Sequence, residues 1–138
     1  MQNAEPFPPT DFVALAASQP ILQARFTCAR HGTEAGVVRL HGGRGTGWMV
    51  VVDSFAGVHQ EGIRTPQAEA LRDALPRGDV RWIHLLDEEW APFFCPRCDR
   101  VYCGQCWRTS LVFDPEWRDW LEETRGVCPA GHERMLSD

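Results

Sequence analysis

Lysine is absent from this 138-residue sequence, and all 14 of its basic residues are arginines. Codon bias in a GC-rich genome is the favoured explanation of this composition, and the alternative interpretation is that only the N-terminal amine would serve as an ordinary amine acceptor for covalent modification. Long apolar runs are absent too, because the longest strongly apolar run, Trp48–Val52, falls far short of the ~20 residues that a membrane helix needs. Residues 1–9 contain no basic patch followed by an apolar stretch, so no secretory signal is visible and we expect a cytoplasmic protein without a membrane span.

Positive charge is in deficit, since 19 acidic residues stand against 14 basic ones and give a net charge of −5. Nucleic-acid binding depends on a basic face that neutralises phosphates, so this balance argues against direct contact with nucleic acid. A hydrophobic content of 43% and a charged content of 24% are typical of a globular protein.

Three segments are predicted along the chain. A proline-rich leader over residues 1–20 contains a short helix at Asp11–Ser18, residues 21–94 form a small mixed block, and residues 95–138 hold most of the cysteines. The total length suits one compact unit, since domains most often contain ~100–150 residues.

The middle segment is predicted to be a β-β-α-β block. Gly36–His41 and Gly47–Ser54 are β-rich and flank a glycine-rich stretch, a pattern typical of a hairpin. Thr65–Leu75 is predicted to be a helix, with its threonine as the cap and its proline in the first helical position. Val80–Leu86 is predicted to be the last strand of the block.

The third segment is predicted to combine short strands with one helix. A strand is expected at Ser110–Phe113. A helix is expected at Asp114–Thr124, because aspartate followed by proline is a common helix start. Such a helix would place Trp117 and Trp120 on one face. Packing of these tryptophans over the zinc sites and a role in partner binding are both open at this stage.

Six cysteines and two histidines form four closely spaced pairs. Two ligands separated by two or three residues form a tight loop, called a knuckle here, and two knuckles complete the tetrahedron of a structural zinc site. Every cysteine is used, and each ion receives three cysteines and one histidine if a histidine-containing knuckle joins an all-cysteine knuckle. The sequence therefore predicts two zinc ions. The knuckles are Cys28 with His31, Cys95 with Cys98, Cys103 with Cys106, and Cys128 with His132.

Other chemistries of these cysteines are less favoured. Three disulfides would need an oxidising compartment, for which the sequence offers no signal. Cys95-Pro-Arg-Cys98 superficially resembles a thioredoxin segment, but another C-x-x-C pair follows at once, which disfavours a dithiol redox protein. A catalytic zinc keeps an open position for water, and no unpaired cysteine remains as a nucleophile, so we predict no catalytic side chain.

The run C-P-R-C-D-R-V-Y-C-G-Q-C over Cys95–Cys106 resembles RING fingers and related binuclear treble-clef domains, including in-between-RING and FYVE-type fingers. The resemblance implies an α+β fold that combines the β-β-α-β block with a RING-like treble-clef zinc domain. In RING domains a helix tryptophan belongs to the surface that holds a ubiquitin-type conjugating enzyme. A basic residue just after the last ligand contacts that enzyme and its ubiquitin. The resemblance gives these roles to Trp120 and Arg134.

Two ways of joining the knuckles are open. In-between-RING domains join neighbouring knuckles along the chain, whereas RING and FYVE domains interleave the first with the third and the second with the fourth. We favour the interleaved arrangement, because it ties the distant Cys28 knuckle to the C-terminal part.

The predicted function is that of a binuclear structural zinc protein that acts as a protein-interaction module. Its sharpest form is a RING-like ligase or adaptor that recruits a ubiquitin-type conjugating enzyme and contributes positioning rather than a nucleophile. The alternatives are a zinc-ribbon-like scaffold without ligase activity and a dithiol redox protein.

Overall fold

The computed structural model describes residues 18–43, 45–118 and 120–137, which form three antiparallel sheets and two α-helices. The α+β class is thus confirmed. The predicted helix at Asp11–Ser18 lies outside these ranges, apart from its last residue. Within them, no helix is long and apolar enough to cross a membrane. The elements are β1 (Leu22–Thr27), β2 (Glu34–Gly43), β3 (Gly47–Ser54), β4 (Gly57–Ile63), α1 (Thr65–Arg77), α2 (Val80–Leu86), a 3-10 helix (Glu88–Trp90), β5 (Phe94–Cys95), β6 (Arg100–Val101), β7 (Arg108–Phe113), β8 (Leu121–Val127) and β9 (Glu133–Ser137).

The first sheet joins β1 to β4 in sequential order. The predicted hairpin is confirmed as β2 and β3, which pair Val38 with Val52 and Leu40 with Val50. All four of these side chains are buried, because alternate residues of both strands face the core. Strand β4, which the sequence did not predict, continues the sheet on the other edge of β3.

Helix α1 confirms the predicted helix and extends it to Arg77. Its N-cap is Arg64 rather than Thr65, and the Gln67 side chain accepts a hydrogen bond from the Arg64 N–H at 3.1 Å. The helix ends at Gly78, whose φ of 60° is favourable for glycine. Its buried side chains recur at helical spacing and pack against the first sheet. They are Ala68, Leu71, Ala74 and Leu75.

The segment predicted as the last strand of the block, Val80–Leu86, is instead helix α2. The Asp79 side chain caps it by accepting a hydrogen bond from the Trp82 N–H at 3.1 Å. Ile83 is fully buried whereas Trp82 and Leu85 are exposed, which is a one-sided pattern rather than a strand alternation. The predicted β-β-α-β order is therefore wrong, because four strands are followed by two helices.

The predicted helix at Asp114–Thr124 is also wrong, because this segment forms a turn and most of β8. One Asp114 side-chain oxygen accepts hydrogen bonds from the N–H groups of Glu116 and Trp117, at 2.7 and 3.0 Å. The Asp-Pro pair thus starts a turn, since aspartate caps turns with the same hydrogen bonds that it uses to cap helices. Strand β8 then pairs with β7 on one side and β9 on the other.

One hydrophobic core connects the segment 21–94 with the segment 95–138. Phe93 stacks on Phe26 of β1 with ring centroids 5.3 Å apart. Trp107 and Leu136 belong to the same cluster of buried residues, although both lie in the C-terminal segment. The cysteine-rich part is therefore packed against the first sheet, which fixes where its knuckles lie.

Candidate metal centres

The first ligand cluster joins the loop between β1 and β2 to the loop between β6 and β7. Cys28, His31, Cys103 and Cys106 offer donor atoms that all lie within 4.8 Å of one another. The His31 Nδ1 atom is 3.2 Å from the Cys103 sulfur and 3.5 Å from the Cys106 sulfur. The sulfur atoms of Cys28 and Cys106 are 3.6 Å apart.

The second cluster joins the end of β5 and the loop that follows it to the loop between β8 and β9. Its members are Cys95, Cys98, Cys128 and His132, and the same 4.8 Å limit holds for their donor atoms. The His132 Nδ1 atom is 3.3 Å from the Cys98 sulfur and 3.5 Å from each of the other two sulfurs. The knuckles are therefore interleaved, first with third and second with fourth, as the sequence analysis favoured.

Both histidine-containing knuckles are closed by a hydrogen bond from the backbone N–H of their cysteine. In one, the Cys28 N–H donates to the Thr33 carbonyl at 2.7 Å, and in the other the Cys128 N–H donates to the His132 carbonyl at 2.9 Å. A glycine with positive φ follows in each loop, Gly32 at 69° and Gly131 at 89°. Such φ values are strained for residues with a Cβ atom, so glycine allows both loops to turn back onto their own cysteine.

The donor spacing fits a tetrahedral ion of the size of zinc. Four donors at zinc–ligand distances would place two sulfurs ~3.8 Å apart and a sulfur and a nitrogen ~3.6 Å apart. Three sulfur–sulfur pairs, Cys28 with Cys106, Cys98 with Cys128 and Cys103 with Cys106, are 3.6, 3.7 and 4.0 Å apart. The nitrogen–sulfur distances in the two clusters run from 3.2 to 3.8 Å. A disulfide would need ~2.05 Å, and all six cysteines are free thiols.

Backbone N–H groups point at the sulfurs of Cys28, Cys95 and Cys128. Burial is the largest influence on the pKa of five of the thiols, and it raises each of these values. At Cys28, hydrogen bonds from the backbone of Cys103 and of its own knuckle outweigh burial and bring the pKa below its usual value. The same balance lowers the pKa of Cys103 and of Cys128. Burial raises the pKa of Cys95 and Cys106 to about 11, so a bound cation would be needed to hold all six as thiolates.

Arg134, to which the RING resemblance gave a partner contact, lies against the second cluster and turns inward. Its guanidinium donates hydrogen bonds to the backbone carbonyls of Glu88, Ala91 and Phe94, at 2.9, 2.9 and 2.7 Å. Burial lowers the pKa of this arginine from its usual value. A contact with a conjugating enzyme, which stays a prediction, would require these hydrogen bonds to be given up.

Trp120, the other residue with a predicted partner contact, is 70% exposed, as is Trp117. The alternative of core packing over the zinc sites is therefore wrong for both tryptophans. Leu111, Phe113 and Leu121 are exposed as well, which the sequence analysis did not predict for the strand at Ser110–Phe113 or for the helix assigned to Leu121.

The three remaining histidines belong to neither cluster. His41 is buried beside the Ser18 hydroxyl, with its Nδ1 atom 3.3 Å from that oxygen. His59 lies between the carboxylates of Glu61 and Glu89, and His84 lies against the ring of Phe94.

A family model described as a domain of unknown function, DUF8328, matches residues 19–138. The matched region contains all eight ligands of the two clusters. No curated protein and no solved structure matches the chain.

Proposed function

We propose a function for this chain, which belongs to the DUF8328 family: a protein-interaction module that two structural zinc ions hold in shape. The module has no catalytic side chain of its own. Its role is to present a surface to a protein partner, and the ions fix the loops that carry this surface.

The observation that carries the proposal is the closure of both clusters. Each brings four protein donors within 4.8 Å of one another, and each is built from two loops that lie far apart in the sequence. A catalytic zinc site keeps a coordination position for water, whereas a site with four protein ligands is structural. Three cysteines and one histidine form a common structural zinc set, and soft thiolate ligands select zinc over magnesium or calcium.

Five of the six cysteines are buried, and the sixth is half-buried. Reduced thiols at these positions suit a reducing compartment such as the cytoplasm, which we propose as the location of the protein. A dithiol redox role has little support, because each C-x-x-C pair contributes both of its sulfurs to a cluster.

Elemental analysis tests the metal part of the proposal. Protein purified without added metal should contain two zinc ions per chain and six thiols that react only after denaturation with a chelator. A ratio near zero with oxidised thiols would contradict the proposal. A metal other than zinc, found at two ions per chain, would correct the identity of the ion.

A narrower version makes the module a RING-like ligase or adaptor for a ubiquitin-type conjugating enzyme. Its support is the interleaved joining of the knuckles, which the RING resemblance implies and the in-between-RING resemblance does not. The exposed Trp120 would anchor the enzyme, and Arg134 would contribute only after leaving its carbonyl partners. The runner-up is a zinc-ribbon-like scaffold without ligase activity.

Discharge of a modifier from its thioester on a conjugating enzyme separates the two versions. A ligase should accelerate discharge, and Trp120→Ala should abolish the acceleration while two zinc ions stay bound. Trp82→Ala is the matched control, because Trp82 is 42% exposed and lies on helix α2, outside all four knuckles. Acceleration that survives Trp120→Ala would contradict the proposed anchor. If the wild type does not accelerate discharge, the ligase version is wrong and the scaffold version stands.

A further inference from the structure

Exposed apolar side chains are concentrated at one end of the β7–β8 hairpin. The large hydrophobic residues that are exposed in the described part of the chain number nine, and five of them fall between residues 111 and 121. Contiguous exposed apolar surface of this kind marks interaction sites in soluble proteins. We call the set the aromatic turn, and it consists of Leu111, Phe113, Trp117, Trp120 and Leu121.

The sheet register places three of these side chains on one face. Leu111 and Phe113 are two residues apart in β7, so they point to the same side. Phe113 pairs directly with Leu121 of β8, and directly opposed residues share a face of the sheet. The register shifts between Val112 and Phe113, so the direct pair is Phe113 with Leu121, and Leu111 joins this apolar strip through its spacing within β7.

Hydrogen bonds within the turn hold the tryptophans in place. The Asp114 N–H donates to the Trp120 carbonyl at 2.9 Å, and the Trp120 N–H donates to the Trp117 carbonyl at 2.8 Å. The Asp114 carboxylate accepts from the Trp117 N–H at 3.0 Å. Such a preformed turn reduces the ordering cost on binding, which favours a docking role for its aromatic side chains.

Acidic groups surround the apolar strip. Trp120 and Leu121 line a surface cleft together with Met135, and the only charged residues of this cleft are Glu122 and Glu123. Asp114 and Glu116 add two more carboxyl groups at the start of the turn, against Arg118 in the turn and Arg125 of β8, which pairs with Glu123 at 3.2 Å. The four carboxyl groups outnumber the two arginines, so a partner that fills this cleft gains from basic side chains next to its apolar ones.

Strand β7 lies at the edge of its sheet, since β8 is its only partner among the described strands. An edge strand offers unpaired N–H and C=O groups to an incoming chain. A segment that pairs with β7 would set its own side chains beside Leu111 and Phe113 on the apolar face.

We infer that the aromatic turn and β7 bind an extended segment of a protein partner in which basic residues accompany aromatic or aliphatic ones. This inference rests on the proposed function and names the chemistry of the partner. The edge of β7 would bind the backbone of that segment, Trp117 and Trp120 would bind its apolar side chains, and the carboxylates would bind its arginines or lysines.

Selection from a phage-displayed library of random 12-residue peptides on the zinc-loaded full chain tests the inference. We expect enrichment of peptides that are rich in arginine or lysine and contain aromatic or β-branched residues. Affinity for the best of them should fall at least tenfold in Trp117→Ser/Trp120→Ser. It should fall severalfold, with a weaker salt dependence, in Glu116→Gln/Glu122→Gln. Trp82→Ser and Leu85→Ser, which change exposed side chains of α2, are the matched controls and should bind as the wild type does.

Several outcomes would overturn the inference. The first is that no peptides are enriched, and the second is that the enriched peptides are acidic or uncharged. The third is that Trp117→Ser/Trp120→Ser binds the peptides as tightly as the controls Trp82→Ser and Leu85→Ser do. Two further experiments test whether something else binds the aromatic turn. In sedimentation equilibrium, a dimer that disappears in Trp117→Ser/Trp120→Ser would assign the turn to a second copy of the chain. Flotation of the protein with neutral lipid vesicles would assign it to a membrane. Zinc is measured in every preparation. If any of these outcomes is found while two zinc ions per chain are bound, only the docking inference is contradicted. If the wild type contains no zinc, the proposed function itself is contradicted.

Discussion

The Arg134 guanidinium donates a hydrogen bond to the Phe94 carbonyl at 2.7 Å, and Phe94 immediately precedes the ligand Cys95. Arg134 itself is two residues after the ligand His132. The two knuckles of the second cluster are thus connected by an arginine as well as by their common ligand geometry. The same guanidinium also reaches Ala91 and Glu88, so the 3-10 helix is fixed to β9.

Arg134→Ala should lower the free energy of unfolding by about 2–3 kcal/mol, because it removes a charged donor and leaves carbonyl groups without a partner. Arg125→Ala is the control, since Arg125 on the neighbouring strand makes only ion pairs with Glu123 and Glu133 at 3.2 and 3.5 Å. Pairs of that kind contribute ~0–1 kcal/mol. Urea denaturation measures both, and equal small losses would show that the carbonyl contacts of Arg134 contribute little.

Trp120→Ala should leave stability within ~0.5 kcal/mol of the wild type, because surface substitutions away from special features have small effects. Trp120 is 70% exposed. By contrast, Trp107→Ala should destabilise by ~3–5 kcal/mol, since Trp107 is only 4% exposed and its Nε1–H donates to the Tyr102 carbonyl at 3.1 Å. Thermal melts compare the two. A large drop in the melting temperature for Trp120→Ala would mean that this tryptophan is packed in solution.

The metal clusters were the most predictable part of the molecule. Ligand pairs at two- and three-residue spacing define knuckles locally, so Cys95-x-x-Cys98 and Cys128-x-x-x-His132 were recognisable without any knowledge of the fold. The spacing did not determine which two knuckles share an ion, because the contact between Cys98 and Cys128 depends on how β5 and β9 pack. Only the tertiary structure decides between interleaved and sequential joining.

Two elements could not be assigned from local pattern. Val80–Leu86 is a short, largely apolar run, and the pattern of such a run does not distinguish a helix from a strand. In the structure it is a helix of which only Ile83 is buried. The aspartate in Asp114-Pro115 accepts the same N–H bonds in a turn as at a helix start, and pairing of β8 with two strands outweighs helix formation. The hairpin β2–β3 and helix α1 were predictable because their periods extend over longer segments.

Chelation should unfold the C-terminal part before the first sheet. Strands β5 and β6 contain two residues each, and few side chains of β7 to β9 are buried, so we expect the proposed metal ions to supply much of the folding free energy there. Limited proteolysis after chelator treatment should cut first between Cys95 and Cys128, as mass spectrometry of the fragments would show. Earlier loss of residues 30–90 would reverse the proposed order of stability.

Gly126→Ala should destabilise the protein by about 1–3 kcal/mol through overpacking. A Cβ atom at this position would lie 2.7 Å from Leu136 Cδ1 and 3.1 Å from Trp107, which has little freedom to move in the core. Gly43→Ala is the matched strand control, because the nearest atom, the Thr46 hydroxyl oxygen, is 3.8 Å away from the added carbon. Urea denaturation should separate the two variants, and similar stabilities would indicate that Leu136 relaxes freely.

Pairs of cysteine substitutions should distinguish the two ways of joining the knuckles. Cys28→Ser/Cys103→Ser removes two ligands from one cluster, so the variant should keep one zinc ion in the other. Cys28→Ser/Cys95→Ser removes one ligand from each cluster and should weaken both sites. Sequential joining predicts the reverse, because Cys28 and Cys95 would then share an ion while Cys28 and Cys103 would not. Zinc release to a competing chelator, followed for both double variants and the wild type, therefore reads the connectivity directly. A single tightly held ion in Cys28→Ser/Cys95→Ser, with two weakened ions in Cys28→Ser/Cys103→Ser, would contradict the interleaved arrangement.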